Sequence, residues 1–358
     1  MFEITMLPAN HGDCLWIEYG SEDDPHRVLI DGGPEYAFPH IQERIPAGGC
    51  HFDLLVITHV DRDHIGGILK LLTHLPDRVT FDDIWFNAYR HLAPVDQLGP
   101  TQGEMVSAVI EQRELPWNEA LGGPEHAVKV GDDAAPRELP PLAGGMKMTL
   151  LSPTSAELKR LEPVWAKEVK KHGIEPGSSE DALAELRQRD RVPPDLLGKE
   201  EGPPHPADDA KEPFVSDDSE ANGSSIVLLA EYDRKSALLV GDAYPSLVKR
   251  SLAHLAEGRY SADALKLSHH GSKKNTDAEL IKGVACPNYL VSTDGAIYGH
   301  PHHAGIARTI ANADDGATLH FNYRTDWNKW WDDEDYKSTY AYEAAYPPDG
   351  KTGLTVGL

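Results

Sequence analysis

Four side chains able to bind a metal ion fall within six positions of this chain: His59, Asp61, Asp63 and His64. Neutral imidazole and carboxylate are the groups that borderline and hard divalent cations prefer. Such ligands are useful only if they converge, so the backbone that carries them must turn. Residues 54–57, Leu-Leu-Val-Ile, are short, apolar and β-branched, which predicts a buried strand. Residues 65–72 read as the start of a helix. The four ligands then occupy a strand-to-helix turn, where they can meet without interrupting regular backbone hydrogen bonding.

Other predicted strands end in residues of the same kind. Residues 28–30 run into Asp31-Gly32-Gly33. Residues 226–230 and 237–240 form a hairpin whose second strand delivers Gly241-Asp242. Residues 264–268 lead into His269-His270-Gly271-Ser272. In a regular strand Lys266, offset by three from His269, faces away from it, whereas Ser272 and Lys273, beyond the strand, are placed to meet an anionic substrate. Tyr298-Gly299-His300-Pro301 opens a helical segment reaching about residue 312, and His300 is a candidate proton donor or phosphate contact. Further strands are expected at 4–7, 14–19, 84–86, 147–151, 289–292 and 319–323, and helices at 103–113 and 246–255.

Residues 153–221 differ in character. Helical patterns at 156–171 and 181–189 precede residues 199–220, which hold eight acidic residues, two lysines and four prolines. That composition buries little, so a mobile acidic insert is expected, either a plain insertion or a lid. After residue 323 a tail of 324–358 carries Trp327, Trp330 and Trp331, read as packing a C-terminal extension onto the domain.

Taken together these motifs resemble the metallo-β-lactamase superfamily, whose metal signature is written His-x-His-x-Asp-His. Asp61 stands here in place of the second histidine. That form, with Asn10-His11-Gly12-Asp13 and the His-His-Gly-Ser run at 269–272, resembles the branch containing the hydrolase domain of the ComEC DNA-uptake proteins. The resemblance spans most of residues 1–323 outside the insert. It implies an α/β fold, an αββα sandwich of two β-sheets flanked by helices, with 153–221 as an insert and 324–358 as an extension.

The resemblance also implies roles. His59 and Asp61 would hold one metal, Asp63 and His64 the second, and Asp242 would bridge the two. His269, ending its strand, would complete the second site, leaving His270 to support the ligands or to contact substrate. Asp31 would support the ligands from behind, although on local sequence it reads equally as an Asp-Gly turn. Many superfamily members supply a further histidine to the first metal near the position of Asn222; the ComEC-like pattern implies that amide in its place. An oxygen-rich first site shifts preference from zinc toward manganese or magnesium. Two divalent ions are expected, Mn²⁺ or Zn²⁺, with Mg²⁺ admitted.

Paired cations lower the pKa of a shared water and neutralise developing negative charge, which favours hydrolysis, with Asp63 and Asp242 orienting the nucleophile. Neither a Gly-x-Ser-x-Gly elbow nor a phosphate-cradling Walker sequence is present, which speaks against covalent serine hydrolysis and nucleotide-driven work. The net charge of −24 argues against broad adhesion to nucleic acid. The expected function is therefore a phosphodiesterase or nuclease acting on a nucleotide or a nucleic acid end. A lactonase or β-lactamase-like hydrolase and a metal-stabilised interaction module with protein partners are the alternatives. The three cysteines are scattered, no run of 18 apolar residues occurs and no secretory signal is visible, so no membrane association and a cytoplasmic location are expected.

Overall fold

A computed structural model of the protein describes residues 1–92, 101–188 and 202–358. Two mixed β-sheets lie face to face. The first has six strands in the order Leu354–Gly357, Phe2–Met6, Leu15–Gly20, Pro25–Ile30, Leu54–Val56 and Ile84–Trp85. The second has eight: Tyr342–Ala345, Ala317–Phe321, Asn288–Val291, Ala264–Lys266, Lys235–Leu239, Val227–Tyr232, Lys147–Ser152 and Arg137–Glu138. In each sheet hairpin-linked antiparallel strands give way to parallel strands reached through helical crossovers.

The apolar residues sort into three layers. Leu54 and Val56 turn inward with Leu228, Ala237 and Leu239, filling the space between the sheets. The alternate residues Leu55 and Ile57 face outward to helices Arg62–Thr73 and Thr101–Gln112. On the far side Leu238, Val240 and Leu265 pack under helices Pro245–Leu252, Ala278–Gly283 and His303–Asn312. The period of two in these strands produces helix, sheet, sheet, helix, the αββα sandwich that the sequence suggests.

The stretch 153–221 is less peripheral than its composition suggests. Helix Ser155–Lys171 buries Leu158, Leu161, Trp165 and Val169 in the same layer as helix Arg62–Thr73. Residues 189–201, including the first three positions of the acidic run, lie outside the described residues. From residue 202 onward the chain forms a short helix, Pro206–Asp209, against His303–Asn312, and it buries Asp217. The tail is likewise built in: Tyr342–Ala345 pairs with Ala317–Phe321 in one sheet, and Leu354–Gly357 pairs with Phe2–Met6 in the other. Trp331 is fully buried. Among the described residues, no helix is long and apolar enough to cross a membrane.

Candidate metal centre

The ligand-bearing turns meet at one end of the facing sheets. Asp61 occupies the N-cap position of helix Arg62–Thr73, so Asp63 and His64 fall in its first turn. The Asn10–Asp13 turn lies directly against this loop, with the Asp13 N–H donating to the Asp63 carbonyl at 3.2 Å. A side chain on Gly12 would run into that carbonyl, which is why glycine suits the position.

Asp31 organises the loop from beneath. It leaves strand Pro25–Ile30 at φ 58°, a left-handed conformation uncommon outside glycine, and is buried. Its carboxylate accepts the Thr58 N–H at 2.8 Å and the Thr58 hydroxyl at 2.6 Å. The same carboxylate lies 2.8 Å from His64 Nδ1, and the Thr58 hydroxyl lies 3.0 Å from His59 Nδ1. Both rings therefore carry a proton on Nδ1 and turn an Nε2 lone pair toward the centre. Thr58 was not legible as a site residue because its role depends on Asp31, twenty-seven positions earlier.

Those lone pairs converge on Asp242. His64 Nε2 lies 3.4 Å from Asp242 Oδ1, and His59 Nε2 lies 3.8 Å from Asp242 Oδ2 and 3.7 Å from Asp61 Oδ2. His270 Nε2 lies 3.6 Å from Asp63 Oδ2 and 3.9 Å from Asp242 Oδ2. Ligand atoms of His59, His64 and Asp242 fall within 4.8 Å of one another, as do those of Asp63, His64 and His270. Nε2 of His59, His64 and His270 and Oδ1 of Asp242 are buried without a hydrogen-bond partner. Orphaned polar atoms at such depth are costly unless something binds them. Imidazole nitrogens and carboxylate oxygens facing one centre fit divalent cations.

The charge balance is correspondingly polarised. Burial alone would push the Asp242 carboxyl up, but His64, His269 and His270 outweigh it and hold it well below the usual carboxylate range. Asp63 behaves the same way, against His270 and His64. Burial works against a proton on His270, yet Asp13, Asp242 and Asp63 push it up to about 9. Carboxylates and imidazoles are thus held in mutual contact.

The adjacent histidines divide in a way the sequence did not separate. Strand Ala264–Lys266 stops earlier than expected, and His269 and His270 sit at φ 47° and 54° in the turn Ser268–Gly271. Strand alternation does not apply there. His270 is fully buried, with Nδ1 2.9 Å from the Ser292 carbonyl and 3.3 Å from Asp13 Oδ1, leaving Nε2 for the centre. His269 has Nδ1 bound among Asn275 Oδ1 at 3.1 Å, Asn222 Nδ2 at 3.2 Å and Asp217 Oδ2 at 3.3 Å. Its Nε2 lies 3.7 Å from Asp242 Oδ2. The geometry brings His270, rather than His269, together with Asp63 and His64: His270 is anchored at Nδ1 by Ser292 and Asp13, His269 by the group around Asp217.

Lys266 faces inward and is buried, its ammonium 2.8 Å from Asp13 Oδ2. Asp13 joins it to His270, a chain that sequence alternation from His269 could not reveal. Asn222 and Asn275 both donate to Asp217, at 2.6 and 3.0 Å, and the Asn222 side-chain Oδ1 is buried without a hydrogen-bond partner. Asp217 comes from the stretch read as a solvated insert. Burial raises its carboxyl, and hydrogen bonds from His269, Asn222 and Asn275 outweigh that and hold it down.

The remaining expected residues lie around the His269-His270 turn. His300 is buried beside His269 and His270, ring centroids 4.9 and 6.0 Å away. Burial and these neighbouring imidazoles hold it well below its ordinary value, so it is neutral, with Nδ1 unpartnered. Ser272 is buried, and its hydroxyl accepts the Lys274 N–H at 3.2 Å. Lys273 turns its ammonium to Glu212 at 3.1 Å rather than toward the centre.

No family model matches the chain. Hydroxyacylglutathione hydrolase of Aeromonas hydrophila is 30% identical over 76 residues, covering 21% of this chain and 28% of that protein. The corresponding enzyme of Aeromonas salmonicida is 29% identical over 76 residues, with the same coverage. The chain thus spans 28% of the length of the curated relatives it matches. Among solved structures, a mutant of the CmlA β-hydroxylase aligns with TM-score 0.41 and 11% identity, covering 100% of this chain and 54% of that one. Human tRNase Z, short form, aligns with TM-score 0.40 and 9% identity over 100% and 99% of the two chains. The metallo-β-lactamase fold protein YhfI of Bacillus subtilis gives 0.36 and 11%, over 99% of each. Overlays this loose leave the fold to be read from the sheet order and strand-end residues of this chain.

Proposed function

We propose that this chain, whose two facing mixed sheets and strand-end ligands make a metallo-β-lactamase fold, is a two-metal phosphodiesterase. The observation that carries the reading is the convergence of three unpartnered imidazole nitrogens, from His59, His64 and His270, on Asp61, Asp63 and Asp242. His59, Asp61 and Asp242 would hold the first ion, and Asp63, His64 and His270, with Asp242, the second. Asn222, beside His269, has a buried side-chain Oδ1 to offer. Oxygen-rich ligation of this kind favours Mn²⁺ or Mg²⁺ and suits phosphoryl oxygens, although Zn²⁺ also accepts the set. The His-x-Asp-x-Asp-His form and the His-His-Gly-Ser turn favour the ComEC-like branch.

Bound divalent cations supply a nucleophile from water and neutralise charge on the phosphoryl oxygens. The protein supplies the rest. Asp31 and Thr58 fix the tautomers of His59 and His64, so that the site needs little rearrangement to bind. Asp63 and Asp242 orient the attacking water. Neutral His300, buried beside His269 and His270, is placed to hydrogen-bond a phosphoryl oxygen through its ring N–H.

The test is hydrolysis of bis-p-nitrophenyl phosphate by metal-stripped protein with Mn²⁺, Mg²⁺ or Zn²⁺ restored. Wild type, Asp63→Ala and Asp242→Ala are run in parallel, with hydroxyacylglutathione as the carbon-centred control prompted by the Aeromonas likeness. Metal-dependent phosphodiester cleavage that both variants lose while keeping their circular dichroism supports the reading. Cleavage of the thioester alone transfers the assignment to carbon-centred hydrolysis.

A further inference from the structure

The mouth of the centre carries two large aromatic side chains that the ligand geometry does not use. Tyr36 and Tyr298 are 50% and 53% exposed, although each belongs to a packed segment. Between them lies His11, which is buried. The Tyr36 hydroxyl is 3.0 Å from His11 Nδ1, and the Tyr298 ring meets the His11 ring edge-on at 5.5 Å between centroids. Tyr298 also lies 6.0 Å from His300, whose ring adjoins His269 and His270.

The mounting is stiff. His11 belongs to the turn whose Asp13 N–H is bonded to the Asp63 carbonyl. The preceding residue, Asn10, accepts the Asp294 N–H at 2.7 Å and donates its amide to Asp294 Oδ2 at 3.1 Å, tying this turn to the loop that carries Tyr298. Both rings are therefore referenced to the metal loop through short hydrogen-bonded links. Exposed tyrosines fixed beside a reaction centre offer flat apolar surface with a polar tip, and they spend little conformational entropy on binding.

We propose that Tyr36 and Tyr298, braced by His11, form a platform for the planar base of a nucleotide substrate. The inference rests on the phosphodiesterase reading and narrows it to nucleotidyl phosphodiesters. Stacking suits this protein: base–aromatic contact needs no positive charge, and a surface of net charge −24 has little to spend on holding a phosphate backbone. The base supplies binding energy on the rim while the phosphodiester reaches the metal ligands beyond His300.

The experiment is equilibrium binding of AMP and of inorganic phosphate to the Mn²⁺-loaded protein, in wild type, Tyr36→Ala, Tyr298→Ala and Tyr298→Phe. Wild type is expected to bind AMP at least about tenfold more tightly than phosphate, the scale of one stacked base. Tyr298→Ala should bring the ratio most of the way to one, Tyr36→Ala should lower it, and Tyr298→Phe should retain it. Equal affinities in wild type, or a ratio unchanged in both alanine variants, overturn the platform. Selective AMP binding in a protein that cleaves no phosphodiester would leave the platform standing and remove the activity assignment. Phosphodiester cleavage with no tyrosine-dependent preference would do the reverse.

Discussion

His269 and His270 are chain neighbours with opposite attachments. His270 donates through Nδ1 to the sheet seam and presents Nε2 to Asp63, whereas His269 is gripped at Nδ1 by the polar group around Asp217. His270→Ala is therefore expected to lose one of two bound metal equivalents, and His269→Ala to keep both. Elemental analysis after exhaustive dialysis would decide it, and equal loss in the two variants would refute the assignment. A second residue sets a pH response away from the centre. His91 accepts the Ala88 N–H on Nδ1 at 3.0 Å and donates from Nε2 to the Pro124 carbonyl at 2.8 Å, and burial pushes it down to about 4. An unfolded histidine binds its proton near pH 6.5, so between there and pH 4 the unfolded chain holds more protons and stability falls as pH drops. This group contributes at most ~1.4 kcal/mol per pH unit. Urea unfolding of wild type and His91→Gln at pH 7 and pH 4.5 should show their difference narrowing in acid; a constant difference would remove His91 from the account.

At the scale of elements, the metal loop is held by the close approach of helix Arg62–Thr73 to the Asp31-Gly32-Gly33 turn. The Gly32 N–H donates to the His64 carbonyl and the Gly67 N–H to the Gly33 carbonyl, each at 2.8 Å. A Cβ on Gly67 would strike the Gly32 carbonyl oxygen, whereas one on Gly48 would meet nothing. Gly67→Ala should cost ~1–3 kcal/mol through overpacking and also weaken metal binding, because Asp31 moves with its turn. Gly48→Ala serves as the neutral control. Matching urea midpoints for the two variants would show that the contact yields without cost.

At the scale of the molecule, the tail from residue 324 supplies an edge strand to each sheet and buries Trp331 under the second. A chain ending at residue 323 is expected to lose soluble folded protein rather than retain a working core. A truncated chain with native circular dichroism and metal binding would show that the domain folds without the packed extension. The acidic stretch makes the same point at its far end. Its composition speaks for solvent, yet Asp217 enters the site because Asn222, Asn275 and His269 together offset the burial of its charge.

Much of this was written locally. The strand before His59 and the helix after His64 show in the hydrophobic pattern, and the αββα order follows from strands that alternate in two buried faces. Asp31, His59, Asp61, Asp63, His64 and Asp242 could be named because each sits at the end of an apolar run. Thr58, Lys266, Asp217 and Asn275 could not, since their roles depend on partners brought near only by folding.

The sequence by itself determined which strands end in side chains of metal-binding type, because side-chain chemistry and the two-residue period are properties of contiguous residues. Only the tertiary structure decided which of two adjacent histidines faces Asp63, which lysine is buried against Asp13, and which tyrosines flank His11. Those outcomes turn on left-handed backbone at His269 and His270 and on contacts between residues far apart in the chain, and neither leaves a periodic trace in the sequence.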